Sequence, residues 1–354
     1  MKATITTQLR RGLVVTAIVA ASLATLLLAL TFLQRLDWRL DLLSHLRLHL
    51  IASLVVAAVA LSAMRRLRVG IAAASVALAV LIADTAVVPG GPERVDASPD
   101  LVVVHANTGN HQLDRDAFDA WFATVRADVV LLQEVTPHTL EHLESRWPEY
   151  TVLAAEPRWD TRGVAVLVKA KRSAEADLLH PLPDKDRPIA VVTLDVAGTT
   201  TSILHFSTTR PLPRDNFEWQ AEAFEFAAQW ANEERSEGRV PLLVGDFNQT
   251  PRGWQLRDLC RETGLSPMML RSWRWPLPRV AGLAVNGFLV PDELLVIDKS
   301  AGPYLGGDHW PVIASFAADG QLNLEVELST VHPEEHEPPE RHVDDRPGEA
   351  ADDT

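Results

Sequence analysis

Three apolar runs open the chain. Gly12 to Gln34 gives 23 residues without a charge, Leu48 to Met64 gives 17, and Val69 to Val88 gives 20 with one carboxylate, Asp84. A helix needs roughly 17–25 apolar residues to cross the hydrocarbon, so the pattern predicts three transmembrane helices with Asp84 near an interface. A cleaved signal peptide is the rival for the first run, but that run exceeds the usual ~7–15 residues of such a segment and two further apolar runs follow it. Leu36 to Leu46 mixes leucines and Trp38 with charges, which predicts a segment lying along the membrane surface.

Beyond the stop signal Pro89-Gly-Gly-Pro92 the period of the pattern changes. Short apolar runs at 101–105, 129–133, 163–168, 189–195, 201–206, 240–245, 283–290 and 311–316 predict strands. Helical spacing is expected over 114–126 (Phe118, Phe122, Val125), over 216–234 (Phe217, Ala221, Phe224, Ala228, Ala231) and over 252–262. Many strands and few helices predict α/β architecture with stacked sheets. The expected organisation is a membrane anchor at 1–91, one α/β domain at 92–331 and an acidic, disordered tail at 332–354.

Charge sharpens this division. The net charge of −14 separates into +6 over 1–91, −13 over 92–331 and −7 over the tail. A polyanion is repelled by a domain at −13, which disfavours nucleic acid as partner. Six Lys and Arg residues (Lys2, Arg10, Arg11, Arg65, Arg66, Arg68) fall on one side of the predicted helices and three (Arg35, Arg39, Arg47) on the other. The positive-inside rule then puts the domain outside the cytoplasm, on a multi-pass anchor. One cysteine, Cys260, excludes a disulfide framework and a cysteine-based zinc cluster.

Polar residues gather at the ends of the predicted strands. Leu242-Leu-Val-Gly-Asp-Phe-Asn248 runs an apolar strand into Asp246 and Asn248, which share a face of extended chain; Gly245 permits close backbone approach. Asp128-Val-Val-Leu-Leu-Gln-Glu134 ends in a carboxylate suited to Mg²⁺. Asn107 follows the first strand, His205 ends another, and Gly306-Gly-Asp-His309 presents Asp308 and His309 in a turn. Taken singly, each has an ordinary structural alternative: an Asx turn, a solvated strand end, a satisfied histidine or a surface turn.

As an ordered set, Asn107, Gln133-Glu134, His205, Gly245-Asp246-Phe247-Asn248 and Gly307-Asp308-His309 resemble the motifs of the endonuclease/exonuclease/phosphatase superfamily. With the helices before them, and Trp38 to His45 between the first two, they resemble its membrane-anchored bacterial branch, which includes teicoplanin-resistance-type proteins. The resemblance covers about residues 98–318 and implies a four-layer α/β sandwich: two packed mixed β-sheets flanked by helices. It implies Mg²⁺, with Mn²⁺ as the alternative, on Glu134 with Asn107 and Asp308. Asp246 would position or deprotonate the attacking water, Asn107 and Asn248 would hold the phosphate, and His205 and His309 would stabilise phosphoryl charge. Asp308 would orient that corner.

Two motifs depart from the family pattern, and at one of them Gly307 stands where a Ser is expected before Asp308. Where an Asp-His pair is expected 22 residues before Asp308, this chain has Asn286-Gly287; Asn286 can accept a hydrogen bond from His309 but cannot neutralise an imidazolium. The expected function is an extracytoplasmic, metal-dependent phosphoesterase of the bacterial cell membrane. Its substrate is expected to be a lipid or lipid-linked phosphate or pyrophosphate, and its immediate partner the bilayer. The alternatives are an impaired ligand-binding or interaction domain, and a nuclease or phosphodiesterase. Trp159, Trp254, Trp273, Trp275 and Trp310 lie near the motifs, either touching the interface or packing in the core.

Overall fold

The computed structural model describes residues 2–109, 111–182, 186–273 and 281–319. Its elements run α1 (Lys2–Leu30), α2 (Trp38–Ser44), α3 (Arg47–Ala63), α4 (Leu67–Val87), β1 (Leu101–Asn107), α5 (Arg115–Phe122), β2 (Val129–Gln133), α6 (Pro137–Arg146), β3 (Tyr150–Glu156), β4 (Val164–Lys169) and β5 (Ala174–Leu179). There follow β6 (Ile189–Val196), β7 (Thr199–Ser207), α7 (Arg214–Ser236), β8 (Val240–Asp246), α8 (Trp254–Thr263), β9 (Ser266–Leu270), β10 (Asn286–Val290), β11 (Leu294–Ala301) and β12 (Val312–Ala318). The expected tail, 332–354, and Trp275 lie outside the described residues.

Two six-stranded mixed sheets, ordered β11-β12-β1-β2-β4-β3 and β5-β6-β7-β8-β10-β9, pack face to face. Alternation along each strand divides its side chains between two layers. Val103, Val129, Ile203, Val244 and Phe288 fill the core between the sheets. Their neighbours face outward: Val104, Val130 and Leu132 meet α5 through Phe118 and Phe122, and Leu204, Phe206 and Leu243 meet α7 and α8 through Phe224, Ala227 and Leu259. This is the expected four-layer sandwich. Within each sheet one central pair is parallel, β1 with β2 and β7 with β8, so four strand ends converge at the same edge of the sandwich.

At the N-terminus the three expected spans become two or three by length and composition. Two segments, Gln8–Leu33 and Leu67–Val87, are long and apolar enough to cross a membrane. The middle one, α3, has only 17 residues and reaches span length only together with α2, from which it bends by 59°. The bend lets α2 lie against the sheet-bearing part of the chain while α3 packs between α1 and α4 through Leu28, Leu54, Ala57, Ala73 and Ala77.

The seam between the helices and the sandwich is polar and buried. Asp41 accepts from the backbone N–H of Trp254 at 3.1 Å and from Gln249 Nε2 at 3.2 Å. It thereby caps α8, whose own N-cap, Gly253, offers no side chain. His45 Nδ1 meets Thr250 Oγ1 at 2.9 Å, and His49 Nε2 meets the Ala281 carbonyl at 2.7 Å. Asp84 accepts from Arg47 Nη1 at 2.8 Å and from Arg252 Nη2 at 2.6 Å.

Candidate active site

The site forms where the strand ends converge. Register sets Asn107 beside Gln133, and it sets Asp246 between Ser207 and Asn286. Gln133 joins the two sheets by donating from Nε2 to the Phe206 carbonyl at 2.9 Å. Gly245 fits here because a Cβ would lie 1.7 Å from that same carbonyl oxygen.

Glu134 leaves β2 with φ of +57°, a conformation uncommon for a residue with a Cβ. Asn107 Nδ2 donates to Glu134 Oε1 at 3.0 Å, and Asn107 Oδ1 accepts from Gly109 N at 2.8 Å. Asn107 thus steadies the carboxylate. Burial holds the Glu134 carboxyl above its ordinary pKa; Asn107 and His309 work against that shift, and Asp246 and Asp308 add to it.

Asp246 is also raised, first by burial and further by Asp308, while His309, the Asn248 backbone and Arg187 pull the other way. Its Oδ1 accepts from Asn248 N at 3.0 Å. Asn248 adopts φ of +48° and donates from Nδ2 to the Thr208 carbonyl at 2.9 Å. His309 Nε2 lies 3.7 Å from both Asp246 Oδ2 and Asp308 Oδ1. Asp308 Oδ2 receives Arg210 Nη2 and Trp273 Nε1, each at 3.2 Å.

Asn286 is fully buried and fixes the histidine. Its backbone N–H donates to Ser272 Oγ at 3.1 Å, so the Ser272 hydroxyl proton is directed to Asn286 Oδ1 at 2.7 Å. That oxygen also accepts from His309 Nδ1 at 2.7 Å. Nδ1 therefore carries a proton, and Nε2 is the nitrogen presented to Asp246 and Asp308.

His205 lies one layer lower. It is 1% exposed, neither ring nitrogen has a hydrogen-bond partner, and its ring meets that of His105 at 5.4 Å. Burial pushes it down to about 3, so it is neutral at physiological pH. The remaining predicted residues, Asn107, Glu134, Asp246, Asn248, Asp308 and His309, converge, and Glu134 and Asp308 line a cleft of about 640 Å³ with Thr161, His111, Arg210 and Trp273. Of the other tryptophans, Trp310 is buried, Trp159 is exposed, and Trp254 lies under Arg35 at 5.0 Å.

A family model described as "Endonuclease/Exonuclease/phosphatase family" matches residues 104–315. The chain belongs to this family. Its members hydrolyse phosphoester bonds and generally use divalent metals. No curated protein matches the sequence as a whole. Solved structures similar to it include humanised Danio rerio TDP2, with 16% identity over 62% of this chain and 99% of that one at a TM-score of 0.47. An endonuclease/exonuclease/phosphatase from Bacteroides vulgatus has 13% identity over 62% and 99%, also at 0.47. The Neisseria 3′ phosphatase NExo, bound to product DNA hairpin, has 14% identity over 61% and 99% at 0.49.

For this endonuclease/exonuclease/phosphatase domain the donor set suits a hard divalent cation. Glu134 and Asp308 line the cleft; Asp246 and Asp308 raise the cost of ionising Glu134, and Asp308 raises that of Asp246. Mg²⁺ needs only one or two carboxylates, because it keeps several waters. A different group, Glu156, His180 and Asp186, brings three ligand atoms within 4.8 Å, but Arg158 already donates to both of its carboxylates.

Participants that escaped the sequence analysis include Arg210 and Ser272, described above, and two more. Arg187 enters from the turn before β6, donates from Nη1 to Ser207 Oγ at 3.2 Å, and has a buried Nε without a hydrogen-bond partner. Burial lowers its pKa, opposed by Glu134 and Asp246, which places its charge at the two carboxylates. His105 Nε2 accepts from Asn286 Nδ2 at 2.9 Å. An arginine opening a strand and a histidine inside an apolar one carry no periodic signal.

Proposed function

We propose that the chain is a membrane-anchored, Mg²⁺-dependent phosphoesterase that hydrolyses a lipid or lipid-linked phosphate or pyrophosphate outside the cytoplasm. The observation that carries this reading is the seam. The turn following Asn248 is held by α2, through its C-cap His45 on Thr250 and Asp41 on Trp254. The catalytic edge of the sandwich is therefore the edge next to the apolar helices, where a phosphate borne on a lipid would lie.

The chemistry follows from the side chains. Phosphoryl transfer is catalysed mainly by positioning and charge neutralisation. Asp246, with its raised pKa, accepts the proton of the attacking water, oriented by the Asn248 backbone. Arg187 and Arg210 face the phosphate oxygens, and His309 Nε2 interacts with the developing charge. A divalent cation at Glu134 supplies Lewis acidity and offsets the clustered carboxylates.

The test is phosphate release from undecaprenyl pyrophosphate by the full chain in detergent with Mg²⁺. Release above that of a Glu134→Ala control supports the reading, and release equal to it overturns it. The second reading, an impaired phosphate-binding domain, is motivated by Asn286, which gives His309 an amide where a carboxylate is expected. Nicking of plasmid DNA at low salt is expected to be absent, since the domain carries −13.

A further inference from the structure

At the end of the apolar helices remote from the sandwich, α1 meets the turn between α3 and α4. A cleft of about 500 Å³ opens there, lined by Arg10, Arg11, Arg65 and Arg66 with Val14 and Met64. A groove of about 720 Å³ continues along α1 and α3 past Ala17, Ala20, Ala52 and Ala60, and Met64 lines both. Neither shares a residue with the catalytic cleft.

The positive charge of the cleft is unmet. Residues 1–36 and 42–83 contain no Asp or Glu. Asp84 is held by Arg47 and Arg252 at the opposite end of α3, about 25 Å away along a 17-residue helix. Among the described residues no carboxylate pairs with Arg10, Arg11, Arg65 or Arg66, and no group accepts from the side chains of the last three. Arg10 Nη2 donates to the Met64 carbonyl at 3.0 Å, which pins that cation over the turn.

The backbone brings two of these cations together. Arg65 has φ of +63°, where glycine is favoured. Arg65 N donates to the Ser62 carbonyl at 2.9 Å and Arg66 N to the Leu61 carbonyl at 2.8 Å, closing α3 as a C-terminal glycine usually does. The consecutive arginines then both line the cleft.

The groove suits the apolar half of a ligand. From Ala52 to Ala63, α3 rises about 17 Å, against about 15 Å of hydrocarbon in one leaflet. A helix also packs against small side chains, but it would have to bring an anion to the mouth of the groove. A second copy of this chain, in the same orientation, brings the same four cations. An anionic head on an acyl chain satisfies cleft and groove at once.

We propose that cleft and groove together bind one anionic phospholipid, its phosphate among Arg11, Arg65 and Arg66 and an acyl chain along Ala20 and Ala52. The bound head offsets four like charges and so holds α1 to the α3–α4 turn. The proposal rests on the helices being a membrane anchor and not on the phosphoesterase reading, because binding is measured without turnover.

The experiment places the full chain in nanodiscs of phosphatidylcholine with and without phosphatidylglycerol, and native mass spectrometry counts the retained lipid. Wild type should keep one phosphatidylglycerol per chain in preference to phosphatidylcholine. Arg65→Gly suits the left-handed backbone, so it removes a cation without straining the turn. Combined with Arg66→Gln it should weaken retention roughly 25-fold, about fivefold for each charge. Ala20→Leu or, from the facing helix, Ala52→Leu should weaken it with every charge in place. No preference for phosphatidylglycerol, or retention that survives the double change, overturns the proposal. Loss in the double variant with full retention in both leucine variants reduces the effect to surface attraction and also overturns it. A dimer that carries no phosphatidylglycerol assigns the groove to a second copy, and equal stabilisation by inorganic phosphate in phosphatidylcholine alone assigns the arginines to free phosphate; either overturns the lipid. A chain that does not enter nanodiscs fails as an anchor and takes the proposal with it, whereas phosphate release without lipid retention sinks the proposal alone.

Discussion

His309 and Asn286 are joined through Nδ1 and Oδ1 at 2.7 Å, and the amide's other end donates to His105 Nε2 at 2.9 Å. An Asp-to-Asn change in a serine-protease triad costs about 10⁴ in kcat through the wrong tautomer. Here Ser272 fixes the amide oxygen toward His309, so the tautomer is kept and only the carboxylate's charge is missing.

Asn286→Asp alone should therefore not behave as a repair. It sets a carboxylate lone pair against the His105 Nε2 lone pair inside the core and should lower stability by about 1–3 kcal/mol. Combining it with His105→Val removes that conflict and should raise hydrolysis above wild type. Urea denaturation and phosphate release on the single and double variants check both parts. A gain of orders of magnitude from the single change would contradict this.

Glu134 is raised chiefly by burial. A carboxylate whose folded pKa is raised opposes folding as pH climbs through that value, so at neutral pH its charge is a cost. Glu134→Gln should raise the melting temperature without metal and abolish the further rise that Mg²⁺ gives wild type. Thermal melts with Mg²⁺ and with EDTA decide.

His205 has its folded pKa pushed down to about 3. A histidine that must stay neutral contributes fully above its unfolded pKa of ~6.5, and that contribution is lost as pH falls toward 3. By pH 5 the loss is about 2 kcal/mol. His205→Leu should flatten the decline in stability between pH 7 and 5 by about one proton, read from chemical denaturation across that range.

Asp41 caps α8 across the seam and binds Gln249, which in turn reaches Gln220, whose Nε2 bonds Thr208 Oγ1. Asp41→Ala should cost about 1–2 kcal/mol, the scale of a lost cap. It should also speed amide exchange over 249–258 and lower kcat more than it changes KM. Hydrogen exchange of the full chain in detergent, beside steady-state kinetics, tests this.

Arg187 places its guanidinium at Glu134 and Asp246. Arg187→Gln should reduce kcat by about 10²-fold, the scale of removing one charge-stabilising donor, with little change in metal affinity by calorimetry. An unchanged kcat would relegate Arg187 to packing.

Legibility tracked burial. The strands read from the sequence lie in the sheet interiors, where burial on both faces writes a continuous apolar run. The four missed strands, β3, β5, β9 and β11, are the four sheet edges. Ala-Glu-Ala-Asp-Leu-Leu in β5 is half-solvated and reads as loop. The helix α6 did carry a signal, Thr136 as N-cap with Pro137 at its first position, but its apolar stripe is thin. Strand Leu283–Val290 was expected three residues too long because Leu283 pairs singly with Trp273. Asn286 was locatable by counting from Asp308, whereas its link to His105 spans 181 residues and exists only once the sheets pack.

Asp84 has one further consequence, in the order of assembly. The chain emerges from its N-terminus, so Arg47 and Asp84 can neutralise each other between α3 and α4 long before Arg252, 168 residues later, is made. Asp84's second oxygen then waits as a prepared acceptor. The helices thus offer the newly folding sandwich a fixed landing point, and a domain that docks with Arg252 elsewhere leaves that oxygen buried and unmet.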